Sequence, residues 1–257
     1  MKIGGSMLKE KWNKLVNMKY FHVCVISIII ISMLLIGGFI TLKYSVEGET
    51  NMPFDLVKIT VISSSEGVDK EATDTRWAFD LYQANDIYLY VDKNEYYGKT
   101  EAIKSVVIDN IQIKAKNKDN VKIYKPDNQE EKLIFKNKDE NIVDRLEFEG
   151  SIESNFKDLK ISNQGGIIAF RCSNNNIAEF RSDDEEITHN QLLKKAGVVN
   201  EDIQINLAFD LSINLEEGRE YKTTINLELP TGDVIENGTT SLELTDLKEY
   251  VFKRTKN

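Results

Sequence analysis

Between Lys19 and Lys43 the chain runs for 23 residues without a formal charge, YFHVCVISIIIISMLLIGGFITL. As a helix rising about 1.5 Å per residue, that run is about 34 Å long, enough for a hydrocarbon core about 30 Å thick. A buried helix of a soluble domain would carry a polar stripe, and residues 26–36 have almost none. The run predicts a single transmembrane helix over residues 20–42, in contact with membrane lipid. Three prolines, 9% aromatics and a mean hydropathy of −0.37 argue against a polytopic membrane protein.

The flanking charges predict an orientation. Residues 1–42 hold Lys2, Lys9, Lys11, Lys14 and Lys19 against the single acid Glu10, whereas Lys43 is soon followed by Glu47 and Glu49. The positive-inside rule puts residues 1–19 in the cytoplasm and the carboxy-terminal part outside it. The run exceeds an ordinary signal-peptide core, and no clean small-x-small cleavage site follows. Cys24 is preceded by Phe21-His22-Val23, which lacks the small residues of a lipoprotein cleavage box. Gly38-Phe39 resembles a prepilin processing site but ends the apolar stretch instead of preceding it. An uncleaved signal anchor is therefore expected. In the basic stub, Leu8, Trp12, Leu15 and Val16 share one helical face among lysines, the pattern of a segment lying in an anionic headgroup layer.

Beyond the anchor the chain is acidic. The whole protein carries 33 basic and 42 acidic side chains, a net −9, and the first 42 residues contribute +4 of it. The remaining body, at −13, repels phosphate backbones, so no nucleic-acid partner is expected. A spacer over residues 43–55 leads into a domain over residues 56–257, with a possible subdivision near Gly150.

The dominant period of that domain is two. Ile203, Ile205, Leu207, Phe209, Leu211, Ile213 and Leu215 alternate with residues that are polar or small. A helix would scatter them around its circumference, whereas a half-buried strand aligns them on one face. After Glu216-Glu217-Gly218-Arg219-Glu220, the alternation resumes at Tyr221, Thr223, Ile225, Leu227 and Leu229, which predicts a hairpin. Further strands are predicted at 56–64, 77–82, 87–91, 103–114, 121–124, 133–135, 145–149, 166–172, 177–181 and 241–252. The turns expected between them include Glu66-Gly67, Ser173-Asn174-Asn175-Asn176, Pro230-Thr231-Gly232-Asp233 and Asn237-Gly238. The expected class is all-β, an antiparallel β-sandwich (one large or two small), preceded by the transmembrane α-helix. One short helix of about eight residues is expected between Thr188, which with Gln191 has capping-box spacing, and Gly197, where it should end.

Catalytic chemistry is sparse. An imidazole-activated nucleophile needs a histidine, and beyond the anchor only His189 is available. Ser63-Ser64-Ser65 has no G-x-S-x-G surroundings, and neither H-E-x-x-H nor a glycine-rich phosphate loop occurs. No catalytic residue and no cofactor is assigned. The weak metal candidates are Asp183, Asp184, Glu185 and Glu186, four carboxylates in a row that could collect calcium or simply form a solvated acidic loop. Cys172 alternates with Ile168 and Phe170 and is expected to be a buried free thiol. The last feature is aromatic. Trp77, Phe79, Tyr82, Tyr88, Tyr90, Tyr96 and Tyr97 crowd into 21 residues. If Ile87, Leu89 and Val91 face the core, Tyr88 and Tyr90 face away from it, and they are the candidate ligand platform. The alternative is that the row packs beneath a loop or against the next strand.

The basic stub, the anchor, and Tyr44-Ser45-Val46-Glu47-Gly48-Glu49 followed by Met52-Pro53-Phe54, in a chain heavy in Ile, Lys and Asn, resemble uncharacterised single-pass membrane proteins of AT-rich Gram-positive bacteria. That resemblance implies a bacterial cell-envelope location and no particular activity or site residue. Three functional classes remain open: a membrane-anchored extracytoplasmic interaction or scaffold module, an envelope glycan- or calcium-binding module, and a hydrolase using paired carboxylates. The first is preferred because a recognisable catalytic set is missing.

Overall fold

A computed structural model describes residues 21–50, 52–70, 76–184, 186–188 and 190–256. Within the first stretch, side chains are described for residues 26–40 alone, so the Cys24 side chain, like the whole of residues 1–20, lies outside what is described. The chain divides into two units, residues 1–47 and 48–257.

The first unit contains most of one helix, Phe21–Thr50. The helix outlasts the apolar run and takes in most of the expected spacer. No proline occurs before Pro53, whose ring disfavours helix in the preceding residue, so nothing in the backbone stops it earlier. All side chains from 26 to 40 are exposed, and the apolar ones point to every side of the helix. Among the described residues no helix is long and apolar enough to cross a membrane.

The second unit is mostly β. Its described strands are β1 (Phe54–Asp69), β2 (Trp77–Lys93), β3 (Ile103–Ala115), β4 (Val121–Tyr124), β5 (Leu146–Ser151), β6 (Lys160–Ser162), β7 (Gly166–Ser182), β8 (Ile205–Leu215), β9 (Glu220–Glu228), β10 (Thr239–Leu244) and β11 (Lys253–Lys256). They form a first sheet in the order β10-β1-β2-β7-β4 and a second in the order β11-β9-β8-β3-β5-β6. Every pairing is antiparallel except β5 with β6. The predicted hairpin is β8–β9, in which Phe209 pairs with Ile225 and Leu211 with Thr223.

Alternation puts Ile59, Val61, Ile87, Leu89, Ile168, Phe170 and Cys172 from the first sheet against Leu207, Phe209, Leu211, Ile213 and Ile225 from the second, in one buried core. Phe170 and Phe209 meet edge to face, with centroids 5.4 Å apart. Cys172 is a buried free thiol, and burial pushes its pKa up to about 12.

Several sequence expectations are corrected. Residues 77–82 and 87–91 belong to one strand, β2, and residues 166–172 and 177–181 to another, β7. The asparagine run between the latter is a bulge: Leu81 pairs with Ala178 but Gln83 with Asn174, and Asn176 takes φ 51°. Asparagine tolerates that left-handed geometry, so the turn signal marks a kink. Gly67 lies inside β1, where an added Cβ would stand 3.1 Å from the Phe79 Cβ. Residues 133–135 are not a strand. Residues 241–252 do not form one strand either: β10 ends at Leu244 and β11 starts at Lys253. Among the described residues of this unit there are three short α-helices in place of the one expected, Leu192–Lys195, Asn200–Ile203 and Gly232–Asn237, the last where turns were expected. No Thr188 capping box forms; Gln191 precedes the first helix at φ 64° with no side-chain cap. The Asn237-Gly238 signal closes the third helix, with Gly238 at φ 76°. Gly150 lies within β5.

Candidate functional site

The long strand β2 sorts its side chains by parity. Ile87, Leu89 and Val91 are buried in the core, and Tyr88 and Tyr90 stand on the outer face of the first sheet, each half-buried. Tyr88 pairs across the sheet with Thr60 and Ala169, and Tyr90 with Lys58 and Ile167. The Lys58 Nζ sits 4.3 Å from the centre of the Tyr90 ring and 3.4 Å from Glu243 on β10. Partial burial, with Asp86 nearby, pushes the Tyr88 phenol up to about 12, so it stays neutral and hydrogen-bonding at any physiological pH. Ile62, beside Asp86 on β1, is 43% exposed and extends the patch.

Further along the same face the chemistry turns ionic. Arg171 projects from β7 between buried Phe170 and Cys172. Its Nε donates to Asp86 Oδ1 at 2.6 Å and its Nη2 to Asp86 Oδ2 at 3.1 Å and Glu66 Oε1 at 3.3 Å. Tyr82 donates its hydroxyl proton to Glu66 Oε2 at 2.5 Å, and Ser64 donates to Glu66 Oε1 at 2.9 Å. The segment between β4 and β5 closes over this cluster, with the Phe135 ring 5.3 Å from the guanidinium carbon and Asn137 Oδ1 accepting from Arg171 Nη1 at 3.3 Å. Burial raises the Asp86 carboxyl above its usual range, and Arg171 offsets only part of that shift. Both carboxylates are committed to one guanidinium, an arrangement that rivets three strands and a covering loop together.

The seven predicted aromatics therefore divide. Tyr88 and Tyr90 share the outer face, and Tyr82 is tied into the ionic cluster. Trp77 stacks on Phe79 at 5.9 Å. Tyr97 is bonded to Glu101 and Arg219, and Tyr96 is 94% exposed. Asp183, Asp184 and Glu186 lie on an exposed segment, where the Asp184 carbonyl accepts from Trp77 Nε1 at 2.9 Å. Glu185 and His189 lie outside the described residues. Among the described residues, no group of three or more His, Cys, Asp or Glu side chains is arranged to hold a metal ion.

Sequence reasoning missed Lys58, Glu66, Asp86 and Arg171. One signal was present: an arginine flanked by Phe170 and Cys172 in an apolar strand requires a carboxylate on a neighbouring strand. Which acid answers it depends on strand order, which periodicity does not reveal. No family model, no curated protein and no solved structure matches this chain.

Proposed function

We propose that the chain is a single-pass membrane protein, anchored by residues 20–42 with the basic stub in the cytoplasm, whose β-sandwich acts outside the cytoplasm as an interaction module at the cell envelope. The anchor reading rests on the uncharged run, the lysine asymmetry, and a helix whose described side chains are exposed on all sides and apolar apart from Ser27 and Ser32. The interaction reading rests on one observation above the rest: Tyr88 and Tyr90 stand side by side, half-exposed, on a strand whose alternate residues are fully buried. Such rings offer large contact area at little entropic cost, on a backbone that cannot yield. A protein partner fits better than a stacked sugar, because Lys58 already lies over the Tyr90 ring. Calcium binding draws no support from the exposed acids at 183–186, and a carboxylate-pair hydrolase draws none from Glu66 and Asp86, both already bonded to Arg171.

The test uses the full chain in its own membrane. Protease added to protoplasts should digest the β unit and spare the stub. Crosslinking in intact envelopes should then give a discrete adduct with the native protein, lost in the Tyr88→Ser/Tyr90→Ser variant while its melting temperature is kept. Digestion only after lysis would overturn the topology. An adduct that survives the double substitution would overturn the platform.

A further inference from the structure

β10 pairs with β1 only from Ile59 to Ser64, so residues 54–58 of β1 have a strand neighbour on the β2 side alone. Beyond Leu244 the chain turns away and reaches β11 in the other sheet. It leaves a groove of ≈ 650 Å³, lined by Asp55, Val57, Leu247, Tyr250 and Val251 among others, where β10 would have continued. No described backbone hydrogen bond joins residues 54–58 to residues 245–252. Val57 is the extra residue of a bulge against β2 and is 45% exposed at that edge.

The groove also has an unanswered charge. Asp55 and Asp92 stand directly opposite each other on β1 and β2, on the outer face and next in line to Tyr90. Like charges in that relation are destabilising. Among the described residues neither carboxylate has a cationic partner: Lys58 is engaged with Glu243, and Lys248 at the groove pairs with Asp246 at 3.8 Å. Burial, and then Asp92, raises the Asp55 carboxyl above its usual range.

We infer that the groove receives an extended peptide segment of a partner protein, laid along the β1 edge where β10 stops, with a lysine or arginine of that segment set on Asp55 and Asp92. The open edge supplies backbone hydrogen bonds, Val57 and the apolar residues at 247–251 supply side-chain contact, and the paired aspartates select for positive charge. A groove of this volume falls in the range that holds small ligands and short peptide segments. The inference names the partner class of the Tyr88–Tyr90 face, and it rests on that reading to the extent that one partner covers both.

The experiment uses the full chain in detergent micelles and three labelled, end-blocked seven-residue Val/Thr peptides: one with a central lysine, one with glutamate there, and one N-methylated along one edge of the lysine peptide. By fluorescence anisotropy the lysine peptide should bind at least about tenfold more tightly than the other two. Asp55→Asn should remove most of that preference without lowering the melting temperature, because it relieves a repulsion. Val57→Lys should weaken binding by charging the edge. Equal binding of all three peptides, or none up to about 1 mM, overturns the inference. So does self-association of the peptide-free chain that Val57→Lys abolishes, which would give the edge to a second copy. If lysine-peptide binding is intact while the envelope adduct survives Tyr88→Ser/Tyr90→Ser, the groove stands and the platform fails. Loss of the adduct with no peptide binding gives the reverse.

Discussion

The first sheet is covered in two different ways along its length. Up to Val61, Ile87 and Cys172 it faces the second sheet, and the core between them is apolar but for Thr223 and the Tyr221 hydroxyl. Further on, β2 and β7 carry a second, smaller core, in which Leu81 and Phe180 pack on Leu192, Leu193, Val198, Ile203, Val234 and Ile235 from the short helices and their connections. Between the two cores the inward positions are Ser63, Ser65, Gln83, Asn85 and Asn174, all buried. Asn85 accepts from Ser63 Oγ at 2.5 Å and donates to the Cys172 carbonyl at 3.0 Å; Gln83 reaches the Pro230 carbonyl at 3.4 Å and Asn174 the Asp202 carbonyl at 3.1 Å. Two of those acceptors lie at the ends of the covering helices. The belt thus adds hydrogen bonds to a small apolar core in holding the helical cap to the sheet, where the sandwich is joined by a much larger apolar core alone. Apolar contact is non-directional and shared among many neighbours, whereas a bonded belt depends on a few geometries, so the cap should be the separable part.

The largest effects should test that separation directly. Phe209→Ala, in the sandwich core, is expected to cost about 3–5 kcal/mol and to lower the denaturant midpoint by every probe. Leu193→Ala empties comparable space in the cap. Its loss of amide protection should stay within residues 192–203, 232–238 and the adjoining ends of β1, β2 and β7. Hydrogen exchange that falls equally in both regions would mean that the two cores open together.

On the opposite face of the same sheet, Arg171→Met should cost about 3 kcal/mol or more, because it leaves Asp86 and Glu66 covered without a cation. Asp86 sets the pH dependence. Its carboxyl titrates higher in the fold than in the unfolded chain, so its ionisation withdraws stability as the pH rises through that interval. Without Arg171 the interval widens, and the variant's deficit should shrink as the pH falls toward the carboxylate range. Urea melts across pH check the trend, and a deficit that grows in acid would assign Arg171 no such role.

What was legible in the sequence follows the same division. Where a sheet covers a sheet, alternation runs unbroken: residues 205–215 read plainly as a strand, and Ile87, Leu89 and Val91 placed Tyr88 and Tyr90 on the outer face. In the belt the inward residues turn polar while the strand continues. Asn85 and Gln83 therefore made β2 look like two strands, and Asn174–Asn176 did the same to β7. The cap helices span 4 to 6 residues, too short to show a helical period, and their ends carry the glycine and proline that also mark turns. Of the candidate site, the tyrosines were visible from parity. Lys58, Asp55 and Asp92 join them through register, which only the fold supplies.

Within the belt, the effects should be smaller and of opposite sign. Ser65 Oγ is buried with no described hydrogen-bond partner, so Ser65→Ala should raise stability by up to about 1 kcal/mol. Asn85→Ala should lower it by about 2 kcal/mol, because it strands the buried Ser63 hydroxyl and takes away the Asn85 oxygen that accepts from Gln83 Nε2 at 3.2 Å. Calorimetry of the pair measures how far the belt holds by its bonds. Two destabilisations of equal size would mean that shape matters there more than hydrogen bonding.

The smallest expected effect bears on how the cap leaves. Asp202 accepts from the backbone N–H of Val199 at 3.1 Å, capping the Asn200–Ile203 helix, and from Lys116 Nζ at 2.7 Å. The Lys116 bond first, and then the Val199 bond, hold its carboxyl below the usual aspartate value. A carboxyl lowered in the fold lends stability that is complete above the unfolded value of about 4 and is lost as the pH falls through the lowered one. Acid should therefore loosen the cap before the sandwich: Asp210 on β8 is lowered too, its burial outweighed by bonds from Thr224, Lys222 and Asn110, but it flanks the larger apolar core. Exchange protection over residues 192–203 should drop first as the pH falls below about 4, and Asp202→Asn should show that reduced protection already at neutral pH, with little further change in acid. The step is small because the Lys116 pair is largely exposed and screened. Because Asn174 binds the Asp202 carbonyl and not its carboxylate, the belt contact should survive the substitution. Loss of protection at 174 together with 192–203 would instead make cap and belt one cooperative piece.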